Sequence, residues 1–316
     1  MTEAIEADSQ AFPPLLVIAG GTATGKTGLS LRLAEALGDA EIISADSRQV
    51  YRGMDIGTAK VSAADRARVP HHGIDVVDPD ELFTAADFQR HAYDVLPGIA
   101  ERARLAIMVG GTGLYLRTVA RGMPFDADEA DPEVRAALES RLEGEGLAAL
   151  AAELERTAPR MAAVTHLANP RRVVRALERY QLVGDKPPEA PRGYPGPAFW
   201  IGLRVDRNEQ QRRIEGRAAD QFAGGLVAEA VALRERFGVH PRAFSAFGYY
   251  EALSVADGEI DEPTAIARDA ARTRAYARRQ GTWFRSELGI RWVDANDDPL
   301  AAALEAVRPW LERARA

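Results

Sequence analysis

The chain has 316 residues, of which 46% are hydrophobic and 28% charged, a composition typical of a soluble globular protein with one large domain or two. It contains no cysteine, which excludes disulfides, thiolate catalysis and cysteine-ligated zinc. Its formal net charge of −7, taken by itself, argues against a nucleic-acid partner, but binding depends on where the arginines cluster on the surface.

The first 14 residues are acidic and polar and end in two prolines, without the basic start and apolar core of a signal peptide. We therefore expect residues 1–14 to form a disordered leader. No apolar run approaches the roughly 20 residues that a membrane helix needs. Together these features predict a cytoplasmic protein with no membrane partner.

A strand pattern and a glycine-rich loop follow. The apolar residues 15–19 predict a buried strand, and the loop after it has the spacing G-x-x-x-x-G-K-T. Its residues are Gly20, Gly21, Thr22, Ala23, Thr24, Gly25, Lys26 and Thr27. Glycines let backbone N–H groups approach phosphate oxygens, and the helix start that follows favours an anion. Lys26 can then bind terminal phosphate oxygens, and the Thr27 hydroxyl can ligate Mg²⁺. A turn that merely joins strand to helix is the competing interpretation, but the spacing favours a phosphorylated ligand.

The second predicted strand, residues 41–45, ends in an acid. Asp46 and the polar residues Ser47, Arg48 and Gln49 come directly after it. Ligands of parallel sheets bind at the carboxyl ends of the strands, so Asp46 belongs on the same rim as the phosphate loop. There it can act as a general base or help to hold Mg²⁺, or it can simply cap a helix. The polar run favours a loop that reads the substrate.

The third predicted strand, residues 105–110, runs into another glycine turn. A P-loop ATPase usually has a second Mg²⁺-binding Asp at this point, but residues 105–109 carry no acid. This absence favours a phosphorylated ligand that is not hydrolysed as a nucleotide. A tight turn explains Gly110 and Gly111 but not Thr112, which we expect to be exposed at the rim.

The region 126–185 differs from the rest, because it holds helical patterns at 131–141 and 170–182 and no convincing strand. Prolines then punctuate the chain until strands resume at 199–205 and 290–293. The fold class is therefore α/β, a P-loop NTPase-like parallel sheet flanked by helices with a helical insertion domain. We predict the core over 15–124 and 198–316 and an insertion over 125–197.

Two predicted helices are rich in arginine. Arg171, Arg172 and Arg175 cluster in the insertion, and a second set of arginines lies between residues 268 and 279, just before Trp283. The guanidinium fork suits phosphate, and an adjacent aromatic ring can stack on a base. A solvated basic face is the alternative for each helix, and the sequence leaves the two interpretations about even.

The chain resembles the bacterial tRNA dimethylallyltransferase (tRNA isopentenyltransferase) family. The matching stretches are GGTATGKT at 20–27, EIISADSRQVYRGMDIGTAK at 41–60, HHGIDVVDP at 71–79, VGGTGLYLR at 109–117, NPRRVVRALE at 169–178, RIEGR at 213–217 and TRAYARRQGTWFR at 273–285. The resemblance covers the chain from Leu15 to about Val293.

The resemblance implies transfer of a dimethylallyl group from dimethylallyl diphosphate to N6 of the adenosine 3′ to the anticodon in tRNA, with release of diphosphate. The glycine-rich loop would hold the diphosphate. Asp46, Lys26 and Thr27 would be catalytic, with either Arg213 or Arg217 on the diphosphate. The family also implies Mg²⁺ on Thr27 and a monomer.

The same resemblance implies a set of contacts to the tRNA anticodon stem-loop. These are Asp46, Ser47, Arg48, Gln49, Thr112, Arg135, Arg171, Arg172, Val173, Val174, Arg175, Thr273, Arg274, Arg278, Arg279 and Gln280. The chain departs from the family where Tyr250 stands in place of a basic residue after Phe247-Gly248-Tyr249. His71 and His72 match the family pattern and are expected to be structural.

Three alternatives compete with this interpretation. A small-molecule P-loop kinase is disfavoured by the missing acid and by the arginine-rich insertion. An adenylate isopentenyltransferase, which prenylates free AMP or ADP, would not be expected to carry the insertion. A nucleotide-dependent switch that binds RNA without chemistry would have no use for Asp46, and the chain has no guanine-reading N-K-x-D sequence.

Overall fold

The computed structural model of the protein describes residues 12–102, 104–125 and 131–315. The chain divides into two compact units, residues 1–122 with 193–316 and residues 123–192. The prediction placed the insertion at 125–197, but residues 193–197 belong to the first unit. There the Gly193 N–H donates to Arg121 O (2.9 Å) and the Tyr194 hydroxyl donates to Pro13 O (2.8 Å).

The first unit is built on a parallel sheet, which confirms the predicted fold class. Within the described residues the sheet has six strands in the order β3-β2-β4-β1-β5-β6. The strands are β1 (Leu15–Gly20), β2 (Ala40–Ser44), β3 (His71–His72), β4 (Leu105–Gly110), β5 (Ala198–Arg204) and β6 (Ile290–Asp294). The short edge strand β3 is absent from the sequence prediction, because two histidines give no apolar run to detect.

Helices cover both faces of this sheet. They are α1 (Lys26–Leu37), α2 (Ala63–Arg68), α3 (Ala85–Glu101), α4 (Gly113–Ala120), α9 (Arg207–Ala223), α10 (Leu226–Phe237), α11 (Pro241–Phe244), α12 (Tyr249–Ala256), α13 (Glu262–Arg285) and α14 (Leu300–Arg315). Successive side chains of a strand point to opposite faces, so Leu16 and Ile18 pack with α1 and α14 while Leu15 and Val17 pack with α3. Both faces of β1 are therefore buried, and its carboxyl end is held at a fixed position.

The second unit is helical, with α5 (Pro132–Glu145), α6 (Leu147–Thr157), α7 (Pro159–Val164) and α8 (Pro170–Val183). Asn169 caps α8, because its side chain accepts from the Arg172 N–H, and Pro170 occupies the first turn, where no N–H is needed. The apolar face of α8 forms the core of the unit with Leu138, Leu150 and Leu154.

Two of the residues predicted to contact tRNA are buried. Val173 and Val174 are 0% and 4% exposed in the core of the second unit, and their contact with tRNA stays a prediction. A helix buries about one face and exposes the other, and these two valines lie on the buried face. The neighbouring Arg171 and Arg172 are exposed.

The predicted leader is wrong at its end. Residues 1–11 lie outside the described part of the chain, but Phe12 packs edge-on against the rings of Tyr93 and Tyr194, with centroids 5.7 and 5.8 Å apart. Pro13 is buried. Among the residues that the structure describes, no helix is both long enough and apolar enough to cross a membrane.

Candidate active site

A cavity of about 700 Å³ opens at the carboxyl ends of β1, β2 and β4. Of the predicted site residues, its wall contains Thr22, Ala23, Gly25, Lys26, Thr27, Asp46, Ser47, Arg48, Gln49, Arg213, Arg217, Thr273, Arg279 and Gln280. The sheet thus brings together segments that are far apart in the chain. Gly20, Gly21, Thr24, Thr112, Arg274 and Arg278 belong to the same unit but are not part of that wall.

The glycine-rich loop presents the start of α1 to the cavity. Gly25 has a left-handed backbone (φ 86°) and precedes the helix without any side-chain cap, so the first N–H groups of α1 are left for a ligand. Thr24 Oγ1 donates to Gly21 O (2.9 Å), and this buried hydrogen bond stabilises the turn. This arrangement suits an anion such as a diphosphate.

Lys26 lies inside this loop, with Nζ 2.6 Å from Gly21 O. Burial, together with the nearby positive charge of Arg217, lowers its pKa to about 8, and the negative charge of Asp46 opposes the shift. Binding of an anion would restore the ammonium form, because an opposite charge favours the charged state.

This pKa predicts the pH dependence of diphosphate binding. Lys26 of the free protein is about half ammonium at pH 8, so the Kd of a non-reacting diphosphate ester should rise only about twofold between pH 7 and 8. Above pH 8 the lysine must take up a proton on binding, so the affinity should fall by about tenfold per pH unit. Titration calorimetry from pH 7 to 9.5 measures this.

The matched control is Lys26→Arg, which stays charged throughout that range and should bind more weakly but independently of pH. A wild-type affinity that stays flat up to pH 9.5 would mean that the Lys26 charge does not bind the ester.

Arg217, rather than Arg213, points at the glycine-rich loop. Arg217 is half-buried, and its guanidinium donates to the Thr22 hydroxyl. Burial lowers its pKa, while Asp269 and Asp46 oppose that shift. Arg213 also lines the cavity, but it is paired with Glu209 (2.7 Å) and donates to Ala295 O (3.1 Å). The geometry therefore favours Arg217 as the diphosphate ligand.

Asp46 does not cap a helix. Its Oδ1 accepts from the Arg48 N–H at 2.8 Å, which stabilises a turn directly after β2, and no helix begins there. Among the described residues Oδ2 has no hydrogen-bond partner, and Asp46 is close enough to interact electrostatically with both Lys26 and Arg217. One oxygen thus fixes the loop, while the other is left to accept a proton or a hydrogen bond.

Two predicted tRNA contacts, Gln49 and Gln280, make hydrogen bonds within the protein. Gln280 is 6% exposed; its Oε1 accepts from Thr22 N and its Nε2 donates to Gly111 O, both at 2.8 Å. Gln49 is 8% exposed, and its side chain accepts from Ser44 Oγ (2.8 Å) and donates to Thr58 O (3.1 Å). Their polar atoms are used to join loops around the cavity, and contact of these residues with tRNA stays a prediction.

Thr112 is half-buried rather than exposed at the rim. Its hydroxyl accepts from Ser47 N (3.1 Å) and donates to Ser47 Oγ (3.3 Å), which ties the loop after β4 to the loop after β2. Nearby, the Arg48 guanidinium donates to Arg242 O (2.7 Å). Contact of Thr112, Ser47 and Arg48 with tRNA stays a prediction.

The predicted residues on α13 fall into two groups. Thr273 is buried and donates to Asp269 Oδ1 (3.3 Å), on the cavity side. Arg278 and Arg279 are exposed, and Arg274 is paired with Glu215 at 2.8 Å. The two exposed arginines therefore offer the most accessible cations of this set.

In the second unit, Glu178 organises the predicted arginines. Its carboxylate is buried (0% exposed) and pairs with Arg135 at 2.8 Å and Arg175 at 2.9 Å, and it also accepts from Asp131 N (3.0 Å). These bonds lower the pKa of Glu178 against the opposing effect of burial. The two arginines are thus held side by side, although their contact with tRNA stays a prediction.

Two acids that the sequence analysis did not single out shape the first unit. Asp269 lines the cavity and is 2% exposed; burial and the neighbouring Glu251 raise its pKa to about 6. Glu229 accepts from the N–H groups of Asp55, Ile56 and Gly57 (2.8 to 3.2 Å) and holds that loop. In a charged helix each acid reads as an ordinary surface residue, so no sequence signal points to them.

The two histidines have different surroundings. His72 Nε2 lies 2.7 Å from Glu41 Oε2, and Glu41 is also bound by Arg102 and Arg104, so His72 belongs to a structural cluster. His71 bonds Val69 O through Nδ1 (2.7 Å) and lines the cavity.

The sequence model of the IPP transferase family matches residues 49–287. The chain is 43% identical to a tRNA dimethylallyltransferase of Symbiobacterium thermophilum over 286 residues, which cover 89% of both chains. It is also 43% identical to a tRNA dimethylallyltransferase of Roseiflexus, over 95% of this chain and 99% of that one.

Solved structures give the same picture. The crystal structure of the full-length tRNA isopentenylpyrophosphate transferase from Bacillus halodurans is similar with a TM-score of 0.71 and 39% identity, covering 95% of this chain and 97% of that one. A eukaryotic dimethylallyltransferase acting on tRNA has a TM-score of 0.81 and 25% identity, covering 95% of this chain and 80% of that one.

Proposed function

The chain belongs to the IPP transferase family and is a tRNA dimethylallyltransferase, and we propose that the cavity beside its glycine-rich loop is where the transfer takes place. The dimethylallyl group of dimethylallyl diphosphate passes there to N6 of the adenosine 3′ to the anticodon. One observation supports the proposal most directly. The Asp46 carboxylate, of which only Oδ1 accepts a hydrogen bond from a described residue, lines the same cavity as the start of α1, Lys26 and Arg217.

The reaction makes one bond and breaks one. The N6 lone pair attacks the allylic C1 of the donor, the C1–O bond breaks, and its electron pair leaves with the diphosphate. The N–H groups of the glycine-rich loop, Lys26 and Arg217 stabilise the charge that develops on that leaving group. Asp46 Oδ2 accepts the proton that N6 loses, or hydrogen-bonds it during attack. Because an adenine amine is a weak nucleophile, its orientation beside C1 supplies much of the rate.

Mg²⁺ fits this cavity as an ion shared with the donor. The Thr27 hydroxyl lies in the cavity wall and makes no hydrogen bond with any described residue. Among those residues no group of three or more His, Cys, Asp or Glu side chains could hold a metal. Mg²⁺ is often bound by one or two protein groups together with phosphate oxygens, so Thr27 would hold it with the diphosphate. There the ion would neutralise charge on the leaving group.

The acceptor is the anticodon stem-loop of tRNA. The exposed arginines of α8 and α13 supply positive charge in a chain whose net charge is −7, which supports RNA binding on these helices. The adenosine must leave its stack to reach Asp46, as in other enzymes that modify bases. We further propose that the protein works as a monomer in the cytoplasm, where its tRNA substrate is found.

Two other enzyme classes fit the site less well. A kinase that transfers phosphate from ATP would need a second metal-binding acid after β4, where Gly110 and Gly111 stand. An adenylate isopentenyltransferase would use the same donor chemistry but would have no use for the arginine-bearing second unit.

The test is transfer of label from radiolabelled dimethylallyl diphosphate, with Mg²⁺, to unmodified tRNA and in parallel to AMP. We expect label in tRNA alone. Label in AMP alone would keep the donor chemistry and replace the acceptor. Label in neither, together with phosphate transfer from labelled ATP, would favour the kinase and overturn the proposal.

A further inference from the structure

One face of α13 forms a continuous part of the cavity wall. The wall contains Asp269, Arg272, Thr273, Tyr276, Arg279 and Gln280, which recur every three or four residues, singly or as adjacent pairs, and therefore share a helix face. Thr273 and Gln280 are buried and used in hydrogen bonds, as described above. Arg272 is the cation of this face that lies nearest to the buried acids.

Arg272 sits between a buried carboxylate and the open cavity. Its Nη1 is 2.5 Å from Glu251 Oε1, and its side chain is 40% exposed while that of Glu251 is 7% exposed. The guanidinium carbon is 5.7 Å from the centre of the Phe247 ring, within the range of a cation–π contact. These two partners fix where the guanidinium lies.

The fixed guanidinium still has donors to offer. A guanidinium carries five N–H groups, and the bond to Glu251 is the one hydrogen bond that Arg272 makes with the described residues. The two nearby acids, Glu251 and Asp269, are 6% and 2% exposed as whole residues, and the Arg272 side chain is far more exposed than either. An approaching anion therefore meets the exposed Arg272 before it meets either buried carboxylate.

The surroundings of Arg272 suit RNA rather than a small anion. The Phe247 and Tyr276 rings lie 5.2 Å apart at 47°, and Arg279 lies 5.6 Å from the centre of the Tyr276 ring. Aromatic rings beside arginines bind unpaired nucleotides by stacking and by charge. Tyr250 stands where the family usually has a basic residue. It carries no positive charge, is 37% exposed and is not part of the cavity wall, so this position supplies no cation beside Arg272.

We propose that Arg272 binds a backbone phosphate of the tRNA next to the target adenosine and that Glu251 is the residue that positions it. The proposal rests on the tRNA acceptor argued above. It assigns a phosphate contact on α13 to one arginine of the second arginine-rich helix, a residue outside the set of tRNA contacts that the family resemblance implied.

The test compares Arg272→Gln with Arg308→Gln, which removes the same charge from the exposed surface of α14. Loss of a phosphate contact should weaken tRNA binding roughly tenfold and lower the slope of log K against log salt by about one. Arg308→Gln should leave both quantities close to wild type. The Kd of a non-reacting donor analogue should be unchanged in both variants.

Equal tRNA affinities and salt slopes for the two variants would overturn the proposal, and so would a loss of donor-analogue binding in Arg272→Gln. If either outcome occurs while the wild type still transfers label to tRNA, the role of Arg272 is refuted but tRNA remains the acceptor. Failure of the wild type to modify tRNA would instead refute the function itself.

The role of Glu251 is tested by a double-mutant cycle. Glu251→Gln keeps the shape of the side chain but removes the charge that holds the guanidinium. We expect it to weaken tRNA binding through Arg272, so that the double variant binds no more weakly than Arg272→Gln. Fully additive losses in tRNA affinity would show that Glu251 does not position Arg272.

Discussion

Replacing Asp46 by asparagine is expected to lower kcat by roughly 10²- to 10⁴-fold, the range typical of a lost general base. Asparagine keeps an oxygen that can accept from the Arg48 N–H, so the turn after β2 should survive. It cannot take a proton from N6, however. The Kd for tRNA and for a donor analogue should therefore stay within a few-fold of wild type.

Single-turnover transfer with saturating tRNA and donor separates this effect from product release. Asp46→Ala is the companion variant, because it also removes the turn hydrogen bond. If the asparagine variant keeps near-normal turnover while the alanine variant loses it, Asp46 holds the loop and does not act on the proton. If both keep near-normal turnover, the residue has no catalytic role.

Arg217→Ala is expected to lower kcat/KM for the donor by roughly 10²- to 10³-fold, as when an enzyme loses one preorganised donor to a developing anion. The half-buried guanidinium lies beside the glycine-rich loop and donates to Thr22, so we expect its charge to act at the site of the leaving diphosphate. The pKa of Lys26 should also rise in this variant, because Arg217 is one of the causes that lower it.

Arg213→Ala is the matched control from the same helix. Arg213 is held by Glu209 and Ala295 O, so its loss should change kcat/KM by less than about tenfold, as for a surface ion pair. Thermal unfolding of both variants separates a folding defect from a lost contact. A larger kinetic effect at Arg213 than at Arg217 would reverse the assignment.

Much of the candidate site can be recognised from short runs of consecutive residues. The spacing from Gly20 to Thr27 and the acid that follows the second strand pattern both depend on local backbone geometry, and the structure brings both to one cavity. Five of the six strands were predictable for the same reason, since buried parallel strands are short apolar runs. The two histidines of β3 gave no such signal.

Side-chain partners far along the chain could not be read in this way. Arg213 and Arg217 are equivalent in sequence, one helical turn apart, and only the packing of α9 decides that Arg217 meets Thr22. The arginine-rich pattern of α8 likewise does not tell which neighbours are buried, and Val173 and Val174 proved to lie in the core.

The sequence by itself determined the chemistry that this chain can perform, because a phosphate-binding turn and the acid after a strand are encoded by neighbouring residues. The tertiary structure alone decided which side chains are free to perform it. Gln280 and Arg272 both lie on one face of α13. The side-chain oxygen and nitrogen of Gln280 are hydrogen-bonded to Thr22 and Gly111, whereas Arg272 has N–H donors left for a ligand in the cavity. Whether a polar atom is already satisfied depends on contacts between distant segments, which form only when the sheet and its helices pack.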